Sequence, residues 1–277
     1  KAVVAGISDI ISMNAVPTQI MISVAVSNRF PVEALEEIYA GIQLACRRYK
    51  VDLVGGDTTS SQTGLVINVT AVGLESSEKI INRNGAKPND LLVVTGDLGG
   101  AYMGLQILER EHSVYLKNPN MQPEMEGYDY ILERQLKPEA RTDIKGILEE
   151  LGVKPTSMID VSDGLASEVL HLSDRSKVGF RIYEEKIPMD ELTISTADEF
   201  NLNPVMTALN GGEDYELLFT ISQSDFDKIK NNPDFTIIGH AVEEEQGNYL
   251  VLRGSNELAE LTAQGWDAYL KGKKKTD

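Results

Sequence analysis

The sequence predicts an α/β (α+β) protein of two domains, on three observations. Runs rich in Val, Ile and Leu that read as strands alternate with stretches of helical periodicity. Glycine-rich or acidic turns join several of these units. At 277 residues the chain is long enough for two hydrophobic cores.

Taken in order, "QIMISVAVS" (19–27) is apolar and β-branched and reads as a strand. "PVEALEEIYAGIQLACRRYK" (31–50) opens on Pro31 and spaces Leu35, Ile38, Ile42, Leu44 and Tyr49 as a helix would. "VDLVGG" (51–56) reads as a short buried strand ending in glycines, and "GLVINVTAVGLE" (64–75) as a longer one. The turn-rich "INRNGAKPND" (81–90) sets the domain boundary, giving domains 1–86 and 87–270 and a disordered basic tail, 271–277. "LLVVTGDLGGAYMGLQILERE" (91–111) reads as strand, turn and helix start, and the polar "YLKNPNMQPEMEGYDY" (115–130) as loop or irregular helix. "RTDIKGILEELG" (141–152) is helical, and "TSMIDVSDGLASEVLHLSDRS" (156–176) gives strand, turn and helix. "GFRIYEEKIPM" (179–189), "YELLFTISQ" (215–223), "FTIIGHAVE" (235–243) and "NYLVLRG" (248–254) read as strands.

Composition excludes several functions. A formal charge of −17 disfavours nucleic acid and acidic membrane surfaces. No apolar stretch reaches membrane-spanning length, and "KAVVAGISDI" lacks a signal-peptide pattern, so a cytoplasmic protein is expected. The lone Cys46 rules out an intramolecular disulfide and reads as a small buried hydrophobe. His112, His171 and His240 lack metal-ligand spacing, and His171, on a helix, reads as a satisfied structural histidine.

Chemistry concentrates in the acidic turns. In "IDVSDGL" Asp160 ends a strand and Asp163 follows three residues later, before a helix. One helix cap needs one short polar side chain, which leaves the second aspartate unexplained. A hard divalent cation between the two explains both, because Mg²⁺ takes carboxylate oxygens together with substrate phosphates. In "LVGGDTT" Asp57 projects beyond a strand end, where it serves either a ligand or a local turn. "NGGEDYELLFT" repeats the Gly-Gly-acid pattern before a strand, and a plain hairpin turn is its alternative. "GISDIISM" adds Ser8 and Asp9, and "TGDLGGAYMGL" suits either a phosphate at a helix start or simple helix entry. No Ser/His/Asp hydrolase arrangement is present, and Trp266 suits packing or stacking on a flat heterocycle.

In this order and at these separations, "GGDTT", "DVSDGL" and "GGEDYELLFT" resemble the thiamine-monophosphate kinase family, within the superfamily of aminoimidazole ribonucleotide synthetase. That superfamily also holds formylglycinamidine ribonucleotide synthetase, selenophosphate synthetase and a hydrogenase maturation protein. The resemblance implies a two-domain aminoimidazole ribonucleotide synthetase-like fold whose N-terminal domain pairs into a shared β-barrel in a homodimer. It implies ATP-dependent phosphorylation of thiamine monophosphate to thiamine diphosphate with several Mg²⁺ ions, and leaves open whether K⁺ assists. Carried over by motif, Asp9, Asp57, Asp160 and Asp163 would hold metal, while Gly56, Asp57, Arg83 and Ser162 would contact ATP. Glu213 and an aromatic of "GWDAY", Trp266 or Tyr269, would hold the thiamine. No general base is expected, since the acceptor phosphate is already ionised at neutral pH.

The family pattern opens with a "GDDAA"-like acidic pair and a Thr-Asp pair on the next strand. Neither occurs here, so a chain lacking the usual N-terminal segment is expected. Gly6 stands where Asn is usual, and Asn14 and Asn89 where Gly is usual; Asn tolerates left-handed backbone, so the last two are mild. The alternatives are a catalytically silent nucleotide-binding homologue, or another ATP-using member of the superfamily. Selenophosphate synthetase is disfavoured because no cysteine lies near the N-terminus.

Overall fold

In the computed structural model, which describes residues 1–264, the chain forms two sheets. The first is three-stranded, with β1 (Val16–Val26) between β2 (Asp52–Ser60), parallel to it, and β3 (Leu65–Leu74), antiparallel. Alternation along β1 sends Ile20, Ile22 and Val24 to one face, where helix α1 (Ala2–Ile11) packs Val3, Val4, Ile7 and Ile11 against them. Helix α2 (Val32–Tyr49) follows, and only Ile42 of it is fully buried. Gly6 lies over β3, where an added Cβ would come 3.3 Å from Val69 Cγ1, so this position meets an apolar surface.

The second sheet comprises β4 (Leu91–Thr95), β5 (Ser157–Asp160), β6 (Val178–Tyr183), β7 (Leu217–Ile221), β8 (Phe235–Glu243), β9 (Tyr249–Val251) and β10 (Leu258–Glu260). Their order is β10-β9-β6-β8-β4-β7-β5, antiparallel throughout except for β6 with β9. Around it lie α3 (Gly100–Lys117), α4 (Asp129–Leu136), α5 (Ile144–Leu151), α6 (Leu165–Ser176), α7 (Glu191–Glu199), α8 (Pro204–Asn210) and α9 (Phe226–Ile229). No helix among the described residues is long and apolar enough to cross a membrane.

Several elements differ from expectation. The strand expected to be short and buried at 51–56 runs through its glycines to Ser60 as the edge strand β2, and every one of its residues is exposed. Its apolar run resembles a buried strand, but nothing among the described residues covers it. Helix α3 continues to Lys117, so the loop expected from 115 begins later. The helices α7, α8 and α9 and the strand β10 were not anticipated. Their apolar periodicity is weak, yet cap signals are present: the Asp190 carboxylate accepts the Leu192 N–H, and Asn203 does the same for Val205 ahead of Pro204.

The strands of the first sheet end at Leu74 and those of the second begin at Leu91, while one apolar cluster spans both. Ile144 and Leu148 of α5, Leu217, Phe219 and Ile221 of β7, and Phe235 of β8 pack in one cluster with Val3, Ile7, Ile20 and Ile22. A second cluster, around Leu92, Val94, Ile159, Leu165 and Phe180, fills the other face of the large sheet. The basic tail lies outside the described residues.

Asn14 and Asn89 adopt φ of 60° and 74°, the left-handed region that glycine normally supplies. Replacing Asn89 by Ala should therefore cost about 1 kcal/mol, read as a Tm lower by roughly 3 °C, while Asn89→Gly should hold within about 1 °C. Equal Tm values for the Ala and Gly variants in thermal denaturation would show that the backbone angle carries no cost.

Candidate active site

The site grows from the pairing of β5 with β7, in which Ser157 to Asp160 face Thr220 to Leu217. The ladder does not stop at the strand ends. Val161 N–H donates to Glu216 O at 2.7 Å, Tyr215 N–H to Val161 O at 2.9 Å, and Glu213 N–H to Ser162 O at 2.8 Å. The "DVSDG" and "GGEDYE" turns are thereby stitched side by side. The fit needs left-handed backbone at Gly212 (φ 71°), Glu213 (62°) and Tyr215 (54°). It also needs bare glycine where the chains touch: a Cβ on Gly212 would lie 2.5 Å from Ser162 O, and one on Gly164 would lie 2.7 Å from Leu209 O.

Carboxylates collect around this joint. Asp160 and Glu168 are each 2% exposed, whereas Asp163 is half-buried and Asp9, on α1, faces solvent. Burial pushes the Asp160 carboxyl up to about 6; Ser8 opposes this and neighbouring Asp9 adds to it. Ser8 acts from close by without a hydrogen bond of ordinary geometry. Burial likewise lifts Glu168 to about 7, against the Asp163 N–H that it accepts at 3.1 Å and with the repulsion of Asp160 and Asp163. Asp9 is raised by burial and by Asp163, and Arg83 draws it down. Burial also raises the Tyr215 phenol, and the charges of Glu213, Asp160, Asp163 and Asp9 add to the rise. The exposed Arg83 is the cation that Asp9, Asp160 and Glu168 share, and with Asp9, Ser12, Met13, Met158 and Arg175 it lines a cleft of about 490 Å³.

So much negative charge, with so little positive charge among it, fits a cation, and all-oxygen donors fit Mg²⁺. Among the described residues no three His, Cys, Asp or Glu side chains are grouped to hold an ion alone.

The fold thus brings Asp9, Asp160, Ser162, Asp163 and Arg83 together. It does not bring Asp57. That residue sits inside β2 rather than beyond a strand end, in register with Ser23, which in turn opposes Asn68. These pairs place it on the sheet face turned away from α1, because the α1 side holds Ile20, Ile22 and Val24. Gly56 lies against β1, where a Cβ would meet Ile22 O at 2.0 Å. Glu213 stands at the rim, paired with Lys1 Nζ at 2.6 Å, so its turn is not a plain exposed hairpin. Trp266 and Tyr269 lie outside the described residues.

Other expectations resolve differently. The "TGDLGG" turn does open α3, but the Gly99 N–H there donates to both oxygens of Asp214, at 3.1 and 3.0 Å. The chain's own carboxylate holds the place a phosphate would take. Neither Ser162 nor Asp163 caps α6, whose N-cap is Gly164 without a side-chain bond. His171 is exposed rather than satisfied in a core, and Cys46 is half-buried. Glu168 and Tyr215 were not anticipated. Glu168 was hidden as one more acid on an amphipathic helix; Tyr215 sits in a recognised motif, but its aromatic ring reads as core.

Comparison with known proteins gives the class first. The family described as AIR synthase related protein, N-terminal domain, matches residues 1–74, and the two-sheet α/β fold is that of this class. Thiamine-monophosphate kinase of Bacillus subtilis (strain 168) is 31% identical over 274 residues, 97% of this chain and 80% of the relative. The Pyrococcus horikoshii enzyme is 34% identical over 98% and 79%. The crystal structure of thiamine monophosphate kinase from Aquifex aeolicus superposes with TM-score 0.76 at 29% identity, covering 93% of this chain and 80% of that one. A complex of AaThiL with AMPPCP and TMP gives 0.77 at 29%, covering 95% and 77%. The hydrogenase maturation protein HypE bound to ATP shares the fold, with TM-score 0.73 at 17% identity over 95% and 78%. The chain belongs to the thiamine-monophosphate kinase family.

The raised carboxyls set a pH dependence. Asp160 titrates near 6 folded against an ordinary 3.8, so the native state binds its proton more tightly than the unfolded chain. Its favourable contribution is full below the ordinary value and is lost as pH rises through the folded one. With divalent ions chelated, the Tm of Asp160→Asn minus that of the parent should climb between pH 4 and 7 and level off above. A difference that stays flat would contradict the shift.

Proposed function

We propose that this chain transfers the terminal phosphoryl group of ATP to thiamine monophosphate, giving thiamine diphosphate and ADP. The reading is supported by one observation: the "DVSDG" and "GGEDYE" turns join their backbones beside two buried carboxylates, Asp160 and Glu168, with Asp9 and Arg83 lining a cleft nearby. It is supported by relatives named thiamine-monophosphate kinase and by the AaThiL complex with AMPPCP and TMP.

Transfer between two phosphates gathers negative charge, and Mg²⁺ held by Asp9, Asp160 and Asp163 would offset it. Arg83 and Ser162 are assigned to ATP, and Glu213 to the thiamine moiety with an aromatic from Trp266 or Tyr269. The acceptor oxygen forms a bond to the γ-phosphorus as the bond to the bridging oxygen of ADP breaks, in line and without a phosphoenzyme. The acceptor is ionised near neutrality, so no side chain need take a proton. A cytoplasmic location fits these substrates.

A homodimer belongs to the same proposal. The outer face of the first sheet exposes Met21 (43%), Val66 (57%) and Leu74 (69%), together with Val16 and Val72. An apolar sheet face of this extent suits burial against a second copy. Asp57 and Gly56 lie on the strand at its edge, so any part they play with metal or nucleotide is exercised there, across the two-fold pairing, rather than beside Asp160.

Incubation with ATP, Mg²⁺ and thiamine monophosphate should yield thiamine diphosphate, and Asp163→Asn should lower kcat by at least about 100-fold. No product while ATP still binds would move the assignment to a silent homologue or another acceptor. Separately, Val66→Asp should convert a dimer to a monomer in sedimentation equilibrium; an unchanged mass would remove this face from the interface.

A further inference from the structure

The tetrapeptide Glu213-Asp214-Tyr215-Glu216 divides by alternation. Glu213 and Tyr215 belong to the acidic site, whereas Asp214 and Glu216 turn the other way, into a buried ionic network. Asp214 lies 3.7 Å from the guanidinium of Arg134 and takes the Gly99 N–H on both oxygens. Glu216 accepts from Arg134 Nη1 at 3.0 Å, from Arg141 Nη1 at 2.8 Å and from Thr95 Oγ1 at 2.5 Å. Through Nη2, Arg134 also donates to the carbonyl of Asp97 at 2.9 Å, and Tyr130 Oη donates to the Asp97 carboxylate at 2.5 Å. One side chain on α4 therefore ties the turn before α3 to the segment that carries Glu213.

This network is a poor source of stability. Burial pushes Asp214 up to about 7 although Arg134 and the Gly99 amide both oppose it, so desolvation outweighs the pairing. What the network does hold is backbone that L-residues avoid. Glu213 and Tyr215 at positive φ cost about 1–2 kcal/mol each, and such strain persists only where the surroundings over-determine it. On the outer side Glu213 and Tyr215 have the hydrogen bonds to Ser162 O and Val161 O; on the inner side Asp214 and Glu216 have Arg134.

We propose that Arg134 and Asp214 are positioning residues for the acceptor substrate. They hold Gly212, Glu213 and Tyr215 in the left-handed conformation that aims Glu213 at the rim of the site. Neither touches the cleft; they act through the loop. The proposal rests on the assignment of Glu213 to the thiamine moiety made above.

The test uses the full chain with Arg134→Lys, which keeps the charge but not the two-pronged hold, and Asp214→Asn, which keeps the shape. Both should speed backbone amide exchange at Glu213 and Tyr215 by at least about tenfold. Both should raise KM for thiamine monophosphate about tenfold, with kcat and KM for ATP within about twofold, the signature of lost uniform binding. Gly212→Ala, which pushes the same loop off Ser162 O, should reproduce that split. Unchanged exchange and KM in a folded Arg134→Lys would overturn the proposal, as would a joint rise in both KM values with a fall in kcat. Should Asp214→Asn not fold, Arg134→Lys carries the test alone. A parent that makes no thiamine diphosphate would defeat the assigned function, whereas the exchange measurement would still decide the lock.

Discussion

The antiparallel pairing of β5 with β7, carried past the ends of both strands by the bonds of Val161, Tyr215 and Glu213, is the constraint on which the site depends. Two segments some fifty residues apart owe their spacing to it. Because side chains alternate along a ladder, a slip of one residue would turn Asp160 toward the opposite face and Asp214 out of the protein. The buried β5 residues and the apolar run of β7 fix that register through the cores on either side. Geometry at the site is thus a by-product of core packing.

Electrostatics separates two kinds of buried acid in this protein. Glu216 meets two arginines and a hydroxyl, and its role is to tie segments together. Asp160 and Glu168 are equally buried, yet neither makes a salt bridge among the described residues, and the cation that offsets their burial is the exposed Arg83. A fold that only sought stability would neutralise or remove such groups; leaving them under-compensated is what the proposed cation site rests on.

Much of this was legible in the sequence, for identifiable reasons. Asp160 ends a strand and Asp163 precedes a glycine, where local chemistry already departs from packing needs, while Asp9 interrupts the apolar run of α1. The two asparagines replacing glycine did adopt left-handed backbone, as their side chains permit. Asp57 was misplaced because "VGGDTT" looks like a strand ending at its glycines, while β2 runs straight through them. Glu168 could not be singled out from sequence, since a helical acid acquires meaning only when the turn above it is known. Arg134 and Asp214 depend on contacts between residues about eighty positions apart, which no local pattern encodes. The short helices α7 and α8 were missed although Asp190 and Asn203-Pro204 announce them.

The shared apolar cluster has a consequence for how the protein is made. The first sheet leaves the ribosome early, but its core is closed by Ile144, Phe219, Ile221 and Phe235. At ordinary elongation rates the β1–β3 unit waits on the order of ten seconds for those residues to be synthesised, its cluster around Ile20, Ile22 and Val24 met by α1 but not yet closed from the side of the large sheet. During that interval the nascent chain carries an incomplete sandwich that other nascent chains or a chaperone can engage. The large sheet therefore acts, within one polypeptide, as the late-arriving partner that completes the core of the small one.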